Sequence, residues 1–306
     1  MDATEGPDPP GNFNSQFREA MKDAQHIIVL AGAGLSAASG IPTFRDGGGM
    51  WRSLDATSLA TPEAFSTNPS LVWQFYHYRR TRALAARPNP AHETIAKLLI
   101  PTYLKEVAPN AKSLHLITQN IDGLSSMALE SALEKLRAVD ARTNEVSTPK
   151  TSIVEMHGRL FDVKCTECGF CRQDRSPTLC PALSLADDAF QNYEDAGTKE
   201  INIPESDLPR CTQCGALARP GVVWFGEMPH HMDKINQLVF KADMILVVGT
   251  SSTVRPASTF TLRVQRRRGK VAVFNTEPSR QDDKADFLFI GRCETVLPDL
   301  FPELND

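Results

Sequence analysis

The sequence predicts an α/β fold, an open, doubly wound parallel sheet joined to a smaller, cysteine-bearing module. Three observations predict it. Short apolar runs recur along the chain, each ending in small or polar residues. A glycine-rich turn follows the first run, and two Cys-x-x-Cys pairs fall between the second run and the third. Apolar runs alternating with helical stretches build parallel sheets covered on both faces.

Taken in order, residues 1–13 begin acidic and proline-rich and read as a disordered tail. They lack the basic or apolar character of a transit or secretion signal, which favours a cytoplasmic or nuclear location. A helix is expected over 15–23. His26-Ile27-Ile28-Val29-Leu30-Ala31 is then a buried parallel strand. Gly32-Ala33-Gly34-Leu35-Ser36-Ala37 matches the turn that lets a backbone close on a pyrophosphate at a helix start. Turns of this composition also occur where strand and helix merely pack tightly.

A polar lid follows, from Asp46 to Trp51, then an amphipathic helix over 71–82 and another over 92–105. The next strand, 114–118, ends in Gln119-Asn120-Ile121-Asp122. An insertion over 125–152 holds a helical run, 128–139, and a polar linker. Two further strands, 244–248 and 271–274, end in Gly249-Thr250-Ser251 and Asn275-Thr276-Glu277. Open α/β sheets bind ligands at the carboxyl ends of their strands, so four polar clusters fall along one crevice. An ordinary dinucleotide fold places an acid about 20 residues after the glycines. Here the lid and helices come first, so inserted structure covers the site. The basic run Arg263 to Lys270 is the solvated end of a helix, with a localisation signal as the alternative.

Cys165-x-x-Cys168 and Cys211-x-x-Cys214 deliver four thiolates in tetrahedral geometry, the pattern of a closed structural zinc site. Seven cysteines, four of them in such pairs, point to metal in a reducing compartment and not to a disulfide framework. A polar insertion, 181–206, sits inside this module. The chain of 306 residues carries a formal charge of -4, so global charge does not draw it to nucleic acid. No apolar run approaches the ~20 residues that span a bilayer.

Taken together, these motifs resemble the sirtuins, NAD-dependent protein lysine deacylases, over about 26–300. The resemblance rests on Gly-Ala-Gly-x-Ser-x-x-Ser-Gly-Ile-Pro-x-Phe-Arg, Gln119-Asn120-Ile121-Asp122, His157-Gly158, the cysteine pairs, Val223-Trp224-Phe225-Gly226-Glu227, Gly249-Thr250-Ser251 and Asn275-Thr276-Glu277. It implies a Rossmann-type NAD-binding domain over 14–157 and 215–306, with a small zinc-binding domain over 158–214 that part of 40–92 joins.

Residue roles follow from the resemblance. Gly32, Ala33, Gly34, Ala37, Thr43, Phe44, Arg45 and Trp51 belong to the phosphate and nicotinamide-ribose loop, with Arg45 in its lid. Gln119, Asn120, Ile121 and Asp122 hold the nicotinamide end of NAD. Gly249, Thr250, Ser251, Asn275, Thr276, Glu277 and Cys293 lie on the adenosine side. His157 is the implied base, with Asn120 and Asp122 catalytic beside it, although a lone histidine is more often structural. The implied reaction releases nicotinamide as the acyl oxygen of the lysine attacks the ribose. It ends in free lysine and O-acyl-ADP-ribose. Val223 to Glu227 pair with the substrate backbone.

Tyr76 and Arg79 stand one helical turn apart and on one face. A guanidinium and a phenol so placed form a clamp for a carboxylate; a core tyrosine beside solvated arginines is the plain alternative. The Tyr-x-x-Arg pair resembles the signature of class III sirtuins, and Ala60 their widened acyl pocket. Removal of succinyl, malonyl or glutaryl groups, with weak deacetylation, is therefore expected. The alternatives are a deacetylase-type sirtuin, a non-catalytic NAD- or acyl-lysine-binding module and a hydride-transferring dehydrogenase. The expected partners are acyl-lysine protein substrates, without nucleic acid or membrane, and the chain is expected to be a monomer. The resemblance also admits a mitochondrial location.

Overall fold

The computed structural model describes residues 10–43, 50–52, 54–139, 152–192, 201–279 and 282–305. Its strands, in chain order, are β1 (His26–Ala31), β2 (Met50–Trp51), β3 (Leu54–Asp55), β4 (Ser113–Thr118), β5 (Ile153–Glu155) and β6 (Gly158–Cys165). They continue as β7 (Cys171–Gln173), β8 (Ala218–Val222), β9 (Met244–Val248), β10 (Lys270–Asn275) and β11 (Phe287–Ile290). Six of them form one sheet in the order β11-β10-β9-β1-β4-β5, every adjacent pair parallel. This is the doubly wound order, with its switch point between β1 and β9, where a crevice opens at the strand ends.

Strand alternation explains the layers. Ile27, Val29 and Ala31 face one core with Phe17, Met21, Phe274 and Phe301, while Ile28 and Leu30 face the other with Ile235, Val239 and Phe260. Burying each such aliphatic chain stabilises by about 1.5–3 kcal/mol, so a sheet wet on either face would lose its rationale. The first helix runs Pro10–Asp23, starting earlier than expected. Residues 10–13 therefore leave the predicted tail, because Phe13 packs against Phe287 and Phe289.

A second core unites the short helices Ala56–Leu59 and Pro62–Thr67 and the long helix Pro69–Ala85 with an antiparallel sheet, β7-β6-β8. β8, beyond residue 214, pairs with β6 and closes the loop that carries Cys211 and Cys214. The helix Pro69–Ala85 is not amphipathic but buried almost all round, from Val72 to His77 and at Arg80. Trp73 Nε1 donates to Ala218 O at 2.8 Å, and the Arg80 guanidinium donates to Leu160 O, Asp174 O and Ser176 O. The helix expected over 92–105 is two helices, Pro90–Leu98 and Pro101–Val107. Pro101 has no N–H for the first helix and disfavours helical backbone in the residue before it, so the chain restarts there.

Candidate active site

The turns after β1, β4, β9 and β10 meet the small module around a cleft of about 880 Å³. Close backbone contact builds its floor. Gly32 N donates to Val248 O at 2.9 Å and Gly34 N to Gly249 O at 2.8 Å. A Cβ on Gly34 would lie 2.8 Å from Gly249 Cα, and one on Gly249, at φ +58°, 2.3 Å from Leu35 N. The two readings of the glycine turn thus join: tight packing of two strand ends shapes the concave backbone that a pyrophosphate needs.

Polar side chains are oriented by a directed chain of hydrogen bonds. Asn89 caps the helix Pro90–Leu98, and its backbone N–H donates to His92 Nδ1 at 3.3 Å. That fixes the proton on His92 Nε2, which points to Ser36 Oγ at 3.4 Å. Ser36 Oγ in turn donates to Asp122 Oδ2 at 2.7 Å. Asn120 Nδ2 donates to Ser36 Oγ at 3.2 Å and to Gly32 O at 2.9 Å, which turns its amide oxygen away from these partners. Burial lowers the His92 pKa to about 4, so the ring is neutral. Burial raises that of Asp122, against the opposing pull of Leu124 N–H, Ser36 and Arg79.

His157 lies two residues after the end of β5. Its Nδ1 lies 3.1 Å from Gln119 O, a carbonyl that can only accept, so Nδ1 carries the proton and Nε2 is left basic. Burial, with a smaller push from His230, outweighs that hydrogen bond and keeps the pKa below the ordinary 6.5. The imidazole is a neutral base at pH 7.

At the other wall, Trp224 Nε1 donates to Tyr76 Oη at 2.9 Å. Burial lifts the phenol to about 12, so Tyr76 keeps its proton to donate. Burial lowers the Arg79 pKa, opposed by Tyr76 and Asp122, and its guanidinium lies 5.6 Å from the Phe75 ring centroid. Ala60 O accepts from Phe225 N at 2.9 Å.

The four paired cysteines converge apart from this cleft. Their sulfurs all lie within 4.8 Å of one another, with Cys165–Cys214 at 3.4 Å and Cys168–Cys211 at 3.7 Å. Zn–S bonds of about 2.3 Å place tetrahedral thiolates about 3.8 Å apart, so the cluster fits zinc. Backbone N–H groups of Glu167 and Cys168 point at Cys165 Sγ and that of Gln213 at Cys211 Sγ. Four sulfurs leave no open coordination position.

The Sir2 family model matches residues 32–256, which hold both the cleft and the cysteine cluster. The chain belongs to the Sir2 family. It is 40% identical over 294 residues to the NAD-dependent protein deacylase sirtuin-5, mitochondrial, of Canis lupus familiaris, covering 95% of this chain and 85% of that one. The Xenopus tropicalis protein of the same name is 40% identical over 293 residues, 94% of this chain and 85% of that one. A crystal structure of a Sir2 homologue–NAD complex superposes with a TM-score of 0.72 at 30% identity, covering 95% of this chain and 93% of that one.

In this Sir2-family chain the expected residues largely converge. Gly32, Ala33, Gly34, Ala37, Thr43, Trp51, Gln119 to Asp122, His157, Gly249 to Ser251, Asn275, Thr276 and Cys293 line the cleft, with Ala60, Tyr76, Arg79 and Val223 to Glu227. Glu277 does not; it is exposed beyond the strand end. Phe44 and Arg45 lie outside the described residues. Val223 to Glu227 form a turn after β8, in which Glu227 N donates to Trp224 O and Glu227 Oε2 accepts from Trp224 N. Ser36, His92 and Asn89 escaped sequence reasoning. Ser36 stands inside the quoted motif, but nothing local marks His92, which joins it across 56 positions.

Proposed function

We propose that this chain is an NAD-dependent protein-lysine deacylase whose pocket takes acyl groups ending in a carboxylate. The observation that carries the acyl reading is the half-buried Arg79 guanidinium beside the protonated Tyr76 hydroxyl, at a wall that also holds the small Ala60. A succinyl, malonyl or glutaryl carboxylate can take one hydrogen bond from Tyr76 and a bidentate pair from Arg79. An acetyl group carries no carboxylate for this pair to bind, so deacetylation is weak.

The glycine cradle and the strand-end polar groups fit NAD: Gly32 and Gly34, packed on the Thr250 and Gly249 backbone with no room for a Cβ, bring bare backbone to the cleft, and Asn275 and Thr276 line it with short polar chains. When bound, NAD supplies the ribose carbon that accepts the acyl oxygen as nicotinamide departs. Asn120, with its amide nitrogen held by Gly32 O and Ser36, presents its oxygen to the nicotinamide side. Asp122, held by Ser36 and Leu124 N–H, supports that corner. His157 Nε2 takes the proton, because Gln119 O fixes its tautomer and burial keeps it neutral. Cys165, Cys168, Cys211 and Cys214 hold zinc and tie β6 to the return of the chain; the metal takes no part in the chemistry.

Acyl-lysine proteins are the substrates. Among the described residues no helix is long and apolar enough to cross a membrane. A mitochondrial location is the reading that the relatives' names support, and a monomer is the working state. The test is a panel of acetyl, malonyl, succinyl and glutaryl peptides with NAD, followed by mass and by free nicotinamide. Replacing Arg79 with Met removes a half-buried partner of a carboxylate and is expected to cost about 2–5 kcal/mol on acidic acyl peptides. Loss on the acetyl peptide is far smaller. Equal losses on both, or NADH absorbance in place of nicotinamide, would overturn the proposal.

A further inference from the structure

The wall of the cleft carries three carboxylates among the described residues, Asp122, Glu227 and Glu294. None is available to a cation at the mouth. Asp122 is buried under Ser36, and Glu294 sits beside Cys293 at the opposite end. Glu227 is taken in a bidentate pair by Arg219, at 2.6 and 2.9 Å, and also accepts from Trp224 N. Arg219 itself lies flat on the Trp224 ring, 3.5 Å from its centroid, so this neutralised pair is a fixed part of the wall.

Across from it the loop after β9 brings Thr253, Val254 and Arg255 to the same cleft. Phe225, Gly226, Thr253 and Arg255 are exposed residues of these two loops, and all four line the one cleft. Arg255 is exposed and makes no ion pair among the described residues, although it lines the cleft. The facing turn spends the N–H groups of Val223, Trp224, Phe225 and Glu227 internally, which leaves the Val223 and Phe225 carbonyls and the Gly226 N–H for an extended guest. Phe225 is 45% and Met228 77% exposed, so that rim is apolar while the Arg255 rim is cationic.

We infer that Arg255 is a specificity-determining residue that selects acyl-lysine segments carrying a carboxylate side chain next to the modified lysine. This rests on the reading of the cleft as an acyl-lysine site. A guest entering between the two loops presents its flanking side chains to one apolar rim and one guanidinium. Its own Asp or Glu is the partner that the protein withholds from Arg255. An exposed pair of this kind is worth a modest factor, about two- to fivefold in kcat/KM. It weakens as salt rises, because near 1 M the screening length is about 3 Å.

The experiment measures kcat/KM for one acyl-lysine peptide series with Asp, Ala or Lys at the flanking positions, at low and high salt, for the full chain and for Arg255→Gln and Arg255→Glu. The expected order is Asp above Ala above Lys. That order flattens in Arg255→Gln and in high salt, and inverts in Arg255→Glu. A flat series in the unaltered chain, with peptides still turned over, overturns this inference and leaves the deacylase reading standing. An unchanged preference in Arg255→Glu does the same. So does a rise confined to the KM for NAD, which would place Arg255 on the dinucleotide. No turnover of any acyl peptide would overturn the deacylase reading, and this inference with it.

Discussion

Replacing His92 with Gln tests the hydrogen-bond chain beneath the nicotinamide corner through its effect on stability against pH. Burial holds the folded pKa of His92 at about 4, against an ordinary 6.5. The unfolded chain therefore takes up a proton before the folded one does. The stabilisation is fully present above pH 6.5 and is lost as pH falls toward 4. The interval of 6.5 minus 4, converted at 1.36 kcal/mol per unit, gives about 3 kcal/mol in all, of which about 2 kcal/mol is gone by pH 5. His157 is also depressed by burial and adds to the slope in the same direction. The difference between the two chains, not either curve alone, isolates His92. The assay is urea unfolding followed by tryptophan fluorescence at pH 7.5, 6.0 and 5.0 in zinc-saturated buffer. His92→Gln should lose about 1 kcal/mol at pH 7.5 from the broken chain. The gap should then close and reverse by pH 5. Curves that run parallel across this range would refute the assignment of a buried neutral His92 donating to Ser36.

Three further outcomes follow from the site. The acid limb of kcat/KM should fall below pH 6.5, because burial depresses His157; His230→Ala, which removes a neighbour that disfavours its charge, should move the limb to higher pH. A limb that stays in place would separate His157 from the rate. Gly34→Ala drives a methyl against the Gly249 backbone at 2.8 Å. It should cost about 1–3 kcal/mol in unfolding free energy and raise the KM for NAD, and an unchanged melting temperature would contradict the contact. Chelation should release stoichiometric zinc and abolish peptide turnover while the parallel sheet keeps its circular dichroism, because metal binding is part of the folding energy of such a module. Retained turnover in the zinc-free protein would break the link between the cysteine cluster and the acyl pocket.

What the sequence determined by itself is the part carried by short-range pattern. The runs His26–Ala31 and Met244–Val248 alternate too little to be half-exposed strands, and both lie in the middle of the parallel sheet. The two cysteine pairs announced their cluster because each knuckle is local. The helix Pro69–Ala85 was visible, but not its burial, since its neighbours β6 and β8 come from beyond residue 157. Pro101 carried a break that periodicity alone concealed.

Tertiary structure decided the rest. The need for glycine at Gly34 depends on Gly249, brought beside it by the pairing of β1 with β9. The proton order from His92 through Ser36 to Asp122 joins residues 56 and 86 positions apart. Helical spacing alone leaves Arg79 a solvated charge or a clamp; the structure turns it into the cleft beside Tyr76 and Phe75, half-buried. Spacing reports which residues share a face. The order of strands in a sheet decides what that face meets, and in this chain that order brings four strand ends, a neutral histidine and a half-buried guanidinium to one cleft.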